Sequence, residues 1–213
     1  MSLTPLSAVV IQVPEASGLT IVGDKLWTIN DDPGGHICEM TLAGRLTGRT
    51  IATEGDTEAV AYDGTKFIVA IETSGRILSY PGGEQIFQWR GNRENGTEGL
   101  AIDVVNTTYY LGNQDPPILA TVKNGKLKKE KLLPWTQQIS DLSYDQDCHC
   151  LWVLSAWEQK LYRALPDGEL LGQWSLPFTG AEGITQLDDR LYIVTDNNDS
   201  NGTSMLYTFQ KPK

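Results

Sequence analysis

One short pattern recurs five times along the chain, and its spacing restricts the fold more than any other feature. It reads Glu15-Ala16-Ser17-Gly18-Leu19, Asp56-Thr57-Glu58-Ala59-Val60, Gly96-Thr97-Glu98-Gly99-Leu100, Gln138-Ile139-Ser140-Asp141-Leu142 and Gly180-Ala181-Glu182-Gly183-Ile184. The shared element is an acidic or hydroxyl residue, usually a small residue, then an aliphatic one. Ser17, Glu58, Glu98, Ser140 and Glu182 align, with steps of 41, 40, 42 and 42 residues. A period of this size marks a propeller or a solenoid. If five such units close into a ring, five copies of one position face a common axis.

Within each repeat the pattern opens a series of short strands. β-branched and aromatic runs such as Lys25-Leu26-Trp27-Thr28-Ile29, Phe67-Ile68-Val69-Ala70-Ile71 and Leu151-Trp152-Val153-Leu154 are strand signals. Gly23-Asp24, Asp63-Gly64 and Asn124-Gly125 between such runs are hairpin turns. No window of a dozen residues carries a 3.6-residue apolar period. The fifth repeat supplies Leu191 to Thr195 and Met205 to Phe209, and then the chain ends at Lys213. A spare strand, Leu6 to Val13, precedes the first pattern. Pairing it beside Tyr207 completes the last sheet and removes an open edge. The expected architecture is all-β: one domain over residues 1–213, a five-bladed β-propeller with four-stranded blades, closed by the N-terminal strand.

Composition then narrows the partners. A net charge of −10 and a pI near 4.6 argue against nucleic acid and anionic membrane surfaces. Met1 to Pro5 has no basic leader, and Ala8-Val9-Val10-Ile11 is far too short to span a bilayer. The expectation is a monomer without membrane insertion, cytoplasmic as the sequence reads, with export behind a removed leader as the alternative. Three cysteines, Cys38, Cys148 and Cys150, show no framework spacing and are expected to be structural or free thiols.

Strand order places the chemistry. In a ring of blades the first strand is innermost and the second runs antiparallel beside it. The start of the first therefore lies next to the end of the second, on one rim of the channel. Second-strand ends carry Asp31, Glu72, Gln114, Ala156 and Asp196. Together with Ser17, Glu58, Glu98, Ser140 and Glu182 they bring six carboxylates to one mouth, and Asp141 stands ready as a seventh. Like charges about 4 Å apart at an effective dielectric near 20 cost on the order of 4 kcal/mol per pair. Such a cluster holds protons, splays apart, or takes a cation. Oxygen donors without histidine or cysteine suit a hard ion, and an irregular set of five or more suits Ca²⁺ better than Mg²⁺. A second reading stands beside this one: the same side chains bond neighbouring blade backbones and hold the ring together. The two are compatible.

Other candidates carry less. Asp31, Asp196 and His36 are the residues to consider for acid–base work, His36 lying in the loop that follows Asp31. Trp157 offers a stacking face just past the fourth second-strand end, and Arg93 (with Arg90) precedes Glu98 as a phosphate contact or as an offset for the rim acids. The lysines from Lys123 to Lys131 read as a solvated outer strand. There is no Ser-His-Asp arrangement, P-loop or dinucleotide fingerprint.

The repeated Glu-Gly-Leu/Ile element, followed by strands such as Leu191-Tyr192-Ile193-Val194-Thr195-Asp196-Asn197, resembles the SdiA-regulated family of bacterial propellers over essentially the whole chain. The alternation of glutamates and serines is also similar to calcium-dependent apyrases, five-bladed propellers with Ca²⁺ on the axis, and more distantly to phytase-like propellers. That resemblance implies Ca²⁺ ligands at Ser17, Glu58, Glu98, Ser140 and Glu182. The chain differs from those enzymes in its small size, short loops and lack of a basic cluster. The functional expectation is a calcium-binding module with an unknown small molecule or protein at the channel mouth. The alternative is a calcium-dependent phosphoester hydrolase.

Overall fold

Alternating and fully apolar runs become strands where their periodicity predicts them, and among the described residues no helix interrupts them. The computed structural model describes residues 1–31, 35–89, 96–196 and 203–212. After β1 (Ser7–Ile11), blade 1 is β2 (Ala16–Val22), β3 (Lys25–Asn30), β4 (His36–Thr41) and β5 (Leu46–Ala52). Blade 2 is β6 (Thr57–Tyr62), β7 (Phe67–Ile71), β8 (Arg76–Tyr80) and β9 (Glu84–Gln88). Blade 3 is β10 (Thr97–Asp103), β11 (Thr108–Asn113), β12 (Ile118–Lys123) and β13 (Lys126–Leu132). Blade 4 is β14 (Asp141–Asp145), β15 (Cys150–Ser155), β16 (Lys160–Ala164) and β17 (Leu170–Ser175). Blade 5 holds β18 (Ala181–Leu187), β19 (Arg190–Thr195) and β20 (Ser204–Gln210).

Each blade is a four-stranded antiparallel sheet, and the fifth runs β1-β20-β19-β18. The N-terminal strand therefore closes the ring, with Ala8 opposite Tyr207 and Ile11 opposite Ser204. The preceding residues reach further, onto the outer strand of blade 4. The Leu3 amide donates to the Ser175 carbonyl at 2.9 Å and the Ser175 amide to the Met1 carbonyl at 2.9 Å. A single stretch thus ties blade 4 to blade 5.

The core is divided into five apolar clusters, each wedged between neighbouring blades. Trp27, Ile29, Val60 and Val69 meet between blades 1 and 2, and Ala59, Ile68, Leu100 and Leu111 between blades 2 and 3. Ile139, Leu142, Tyr110 and Val153 fill the next wedge, Leu154, Ile184 and Ile193 the fourth, and Leu19, Leu26, Val194 and Leu206 the last. This is why the second strands, such as β15, are buried on both faces, whereas the lysine-rich β13 is exposed as its composition predicts. Inner strands contact in the order β2, β6, β10, β14, β18 and back to β2, and β2 also touches β10 and β14 across the axis. The axis is therefore narrow. The expectation of structural or free thiols resolves into both: Cys148 and Cys150 form a disulfide in the turn between β14 and β15, while Cys38 is free. Among the described residues no helix is long and apolar enough to cross a membrane.

Candidate metal centre at the channel mouth

The pattern residues reach the axis by a local irregularity in the inner strands. In β6, Thr57 pairs with Ile71 and Ala59 with Ala70, so Glu58 is an extra residue between them. Glu98 is extra in the same way between Thr97 and Gly99, and Glu182 between Ala181 and Gly183. A β-bulge of this kind bends the strand and re-aims the side chain of the extra residue. In β2 the register shifts between Ser17 and Leu19. Blade 4 has no shift in this pairing: Asp141 sits directly opposite Leu154.

Close approach of the inner strands demands small residues next to the bulge. A Cβ on Gly183 would lie 2.8 Å from the backbone carbon of Gly18, and one on Gly99 would lie 2.8 Å from Leu142 Cγ. The glycine of the pattern is thus a packing requirement between consecutive blades.

A cavity of about 190 Å³ opens at this mouth, lined by Glu15, Ser17, Asp31, Glu58, Glu98, Gln114, Glu182 and Asp196. Seven of the sequence-predicted residues therefore come together there, joined by Glu15. Convergence is not five-fold symmetric. Carboxylate oxygens of Asp31, Asp56 and Glu58 all lie within 4.8 Å of one another, and so do those of Glu58, Glu72 and Glu98. Oxygens bound to one Ca²⁺ at 2.3–2.6 Å can be separated by up to about 5 Å, so either triad suits a single ion. Glu58 belongs to both, which shifts the centre of charge toward blades 1, 2 and 3.

Electrostatics at the mouth follow from burial and crowding. Burial, then the charge of Asp31, pushes the Glu58 carboxyl up to about 9, and Glu58 hydrogen-bonds Asp31. Burial, then Glu58 and Glu182, raises Glu98 to about 11, and Glu98 hydrogen-bonds Glu72. Glu182 rises to about 8, through burial and then Asp196 and Asp31. Asp31 itself rises to about 6, mainly through burial. Without a cation the site therefore relieves repulsion by retaining protons on Glu58, Glu98 and Glu182 near neutral pH, with Asp31 losing its own below that. A dication that displaced those protons would replace a shared proton by a shared charge.

The hydroxyl members of the pattern behave differently. Ser17 Oγ donates to the Glu58 carbonyl at 2.7 Å and lies 3.1 Å from Glu58 Oε2, so it links blade 1 to blade 2 beside the cavity. Ser140 is fully buried, and its Oγ accepts the Ala156 amide at 2.8 Å within its own blade. It does not line the cavity. Asp141 is placed deeper than the expected rim position. Its Oδ2 accepts the Ile184 amide at 2.7 Å and the Leu19 amide at 3.4 Å, the Leu100 and Leu142 amides also favour its charged form, and Oδ1 is buried without a hydrogen-bond partner. Four blades thus meet on one carboxyl group. Burial pushes Asp141 well above the ordinary aspartate range despite those backbone amides, which act the other way. Past it, Leu19, Val60, Leu100, Leu142 and Tyr144 line a second cavity of about 160 Å³ on the opposite face.

His36 is exposed at the first position of β4, paired with Asn30 and Ala52, and does not line the acidic cavity. Trp157 is 57% exposed, with its amide donating to Gln138 Oε1 at 2.9 Å, and it too stands outside the lining. Arg90 and Arg93 lie outside the described residues. Two participants, Glu15 and Asp56, open the recurring pattern but are not among the ligands expected from it. Each stands two residues before a pattern residue, where the other repeats carry Gly96, Gln138 and Gly180.

Fold and site together define a five-bladed β-propeller with a carboxylate-lined mouth and a closed axis. Residues 124–210, spanning the outer strand of blade 3, all of blade 4 and the three C-terminal strands of blade 5, match the model of the SdiA-regulated family. This agrees with the resemblance read from the repeats. No curated protein matches the chain. Among solved structures, a glutaminyl cyclase of Myxococcus xanthus is similar with a TM-score of 0.75 at 12% identity, covering 99% of both chains. Regucalcin of Agrobacterium tumefaciens, a calcium-binding protein, gives 0.61 at 12% identity over 100% of this chain and 97% of its own. Virginiamycin B lyase of Staphylococcus aureus gives 0.58 at 14% identity over 97% and 74%. At such identities the likeness concerns the fold alone.

Proposed function

We propose that the acidic mouth is a divalent-cation site, with Ca²⁺ as its ion, and that the protein is a binding module whose ligand is held through that ion. One observation carries the reading: bulged Glu58 and Glu98, with Asp31, Asp56 and Glu72, place carboxylate oxygens within 4.8 Å of one another in two triads that share Glu58. All of these donors are hard, which matches the preference of Ca²⁺. The cavity has room for an ion, its waters and one small oxygen-bearing group. A fold likeness to a calcium-binding propeller is compatible with this reading.

The lining consists of acids, one amide and one hydroxyl. Without a basic group among these residues to grip a phosphate, the ligand-binding reading is preferred to phosphoester hydrolysis. Thermal melts of chelator-stripped protein test the metal, with Ca²⁺, Mg²⁺ or chelator added. Ca²⁺ is expected to raise the midpoint more than Mg²⁺, and a midpoint indifferent to all three removes the proposal. A turnover panel of nucleotides, phytate and an N-terminal glutaminyl peptide tests for catalysis. Ca²⁺-dependent turnover lost in Glu98→Gln would replace the binding module by an enzyme.

A further inference from the structure

The disulfide in the β14–β15 turn sits on the face opposite the acidic mouth. Cys148 and Cys150 are only two positions apart, with Cα atoms 5.2 Å from each other. A cross-link restrains the unfolded chain by an amount that grows with the logarithm of the loop it closes, so a loop this short restrains it far less than a long one does. The turn is also closed without it, because Asp145 pairs directly with Cys150 in the β14–β15 ladder. Stability therefore gives little reason for the bridge.

Its two halves are unequal in access. Cys148 is exposed at the tip of the turn, and Cys150 is fully buried at the start of β15. Between them His149 is exposed, with a φ of 51° in the left-handed region, and its Nδ1 lies 3.4 Å from the Tyr144 hydroxyl. Tyr144 in turn lines the cavity at the opposite end of the channel. Thiol–disulfide exchange requires one sulfur open to attack and another able to leave, and it is controlled by access as much as by acidity.

We propose that Cys148–Cys150 is a thiol–disulfide exchange site, opened by a dithiol reductant that attacks Cys148. A thiolate of the reductant bonds to Cys148 Sγ while the Cys148–Cys150 bond breaks. The Cys150 thiolate leaves and takes up a proton. The second thiol of the reductant, as thiolate, then attacks its own sulfur in the mixed disulfide and releases the Cys148 thiolate, which is protonated. The reductant ends as a disulfide, and two electrons and two protons have passed to the pair. In the reverse direction Cys150 is the resolving thiol. The propeller persists throughout, because the inter-blade core and the ladder of β14 with β15 do not depend on the bridge.

The test uses the full chain and counts thiols by mass after alkylation in denaturant. Protein kept in air is expected to take one alkyl group, on Cys38, and protein reduced in its native state by millimolar dithiothreitol to take three. The circular dichroism spectrum is expected to stay unchanged on reduction. In the native state Cys150→Ser should form a mixed disulfide with oxidised glutathione at Cys148, and Cys148→Ser should react about tenfold or more slowly. Three alkyl groups before reduction would overturn the proposal, since the pair would not then form. So would a bridge that opens only in denaturant, a spectrum that collapses on reduction, or two variants that react equally fast.

Discussion

At the residue scale the axis is organised by one aspartate and one repeated glycine. Asp141 draws amides from blades 1, 3, 4 and 5 onto a single carboxyl group. Asparagine keeps the size and can leave its oxygen on the Ile184 and Leu19 amides, whereas alanine removes the acceptor altogether. Asp141→Ala is expected to cost about 2–4 kcal/mol and Asp141→Asn clearly less, read as a shift in the urea midpoint with an unchanged slope. A Cβ added to Gly183 would meet backbone atoms of Gly18 and Leu19 at 2.8 and 2.9 Å, and backbone yields little. Gly183→Ala is therefore expected to cost about 1–3 kcal/mol in the same assay. Part of this was legible in the sequence, because the glycine recurs beside the glutamate in repeats three and five. The role of Asp141 was not. It follows a serine rather than a glutamate, and nothing in the residues of one strand tells how deep along the axis a carboxylate will settle. Glu15 and Asp56 were readable in principle, since each opens its copy of the pattern.

At the scale of elements, strand content and closure follow from local patterning, whereas the aim of the pattern residues follows from pairing. Inner strands are legible because period, turn residues and β-branched content agree. The spare strand before the first repeat and the missing strand after the fifth complete one another, and β1 with β20 realises that match. Bulges were not legible. An extra residue exists only relative to a partner strand, so Glu58, Glu98 and Glu182 reveal their orientation only when β7, β11 and β19 are in place. Removing residues 1–11 would strip β1 from blade 5 and expose the whole edge of β20. The truncated protein is expected to melt at lower temperature and to associate through that edge, seen as higher-mass species in size-exclusion chromatography. A truncation that remained monomeric with an unchanged midpoint would show that closure contributes little.

At the scale of the whole molecule the concentration of acid at one mouth should govern how stability responds to pH. The raised carboxyls hold their protons in the folded state after the unfolded chain, with a value near 4.5, has lost its own. Folded protein without a cation therefore binds more protons than unfolded protein, and its stability falls as pH rises from about 5 to about 11. Ca²⁺ requires the same groups deprotonated, so its affinity rises across that interval, and the melting curve of the loaded protein should flatten or reverse in slope. Occupation at a hundred times the dissociation constant would add about 2.7 kcal/mol. The most direct measurement is calorimetric titration of chelator-stripped protein with Ca²⁺ near neutral pH, repeated in buffers of different ionisation enthalpy. Saturable binding with release of protons, lost or strongly weakened in Glu98→Gln, is the expected result. A titration without saturable heat in any buffer, or one that Glu98→Gln leaves unaltered, would contradict a cation site built on the repeated glutamates.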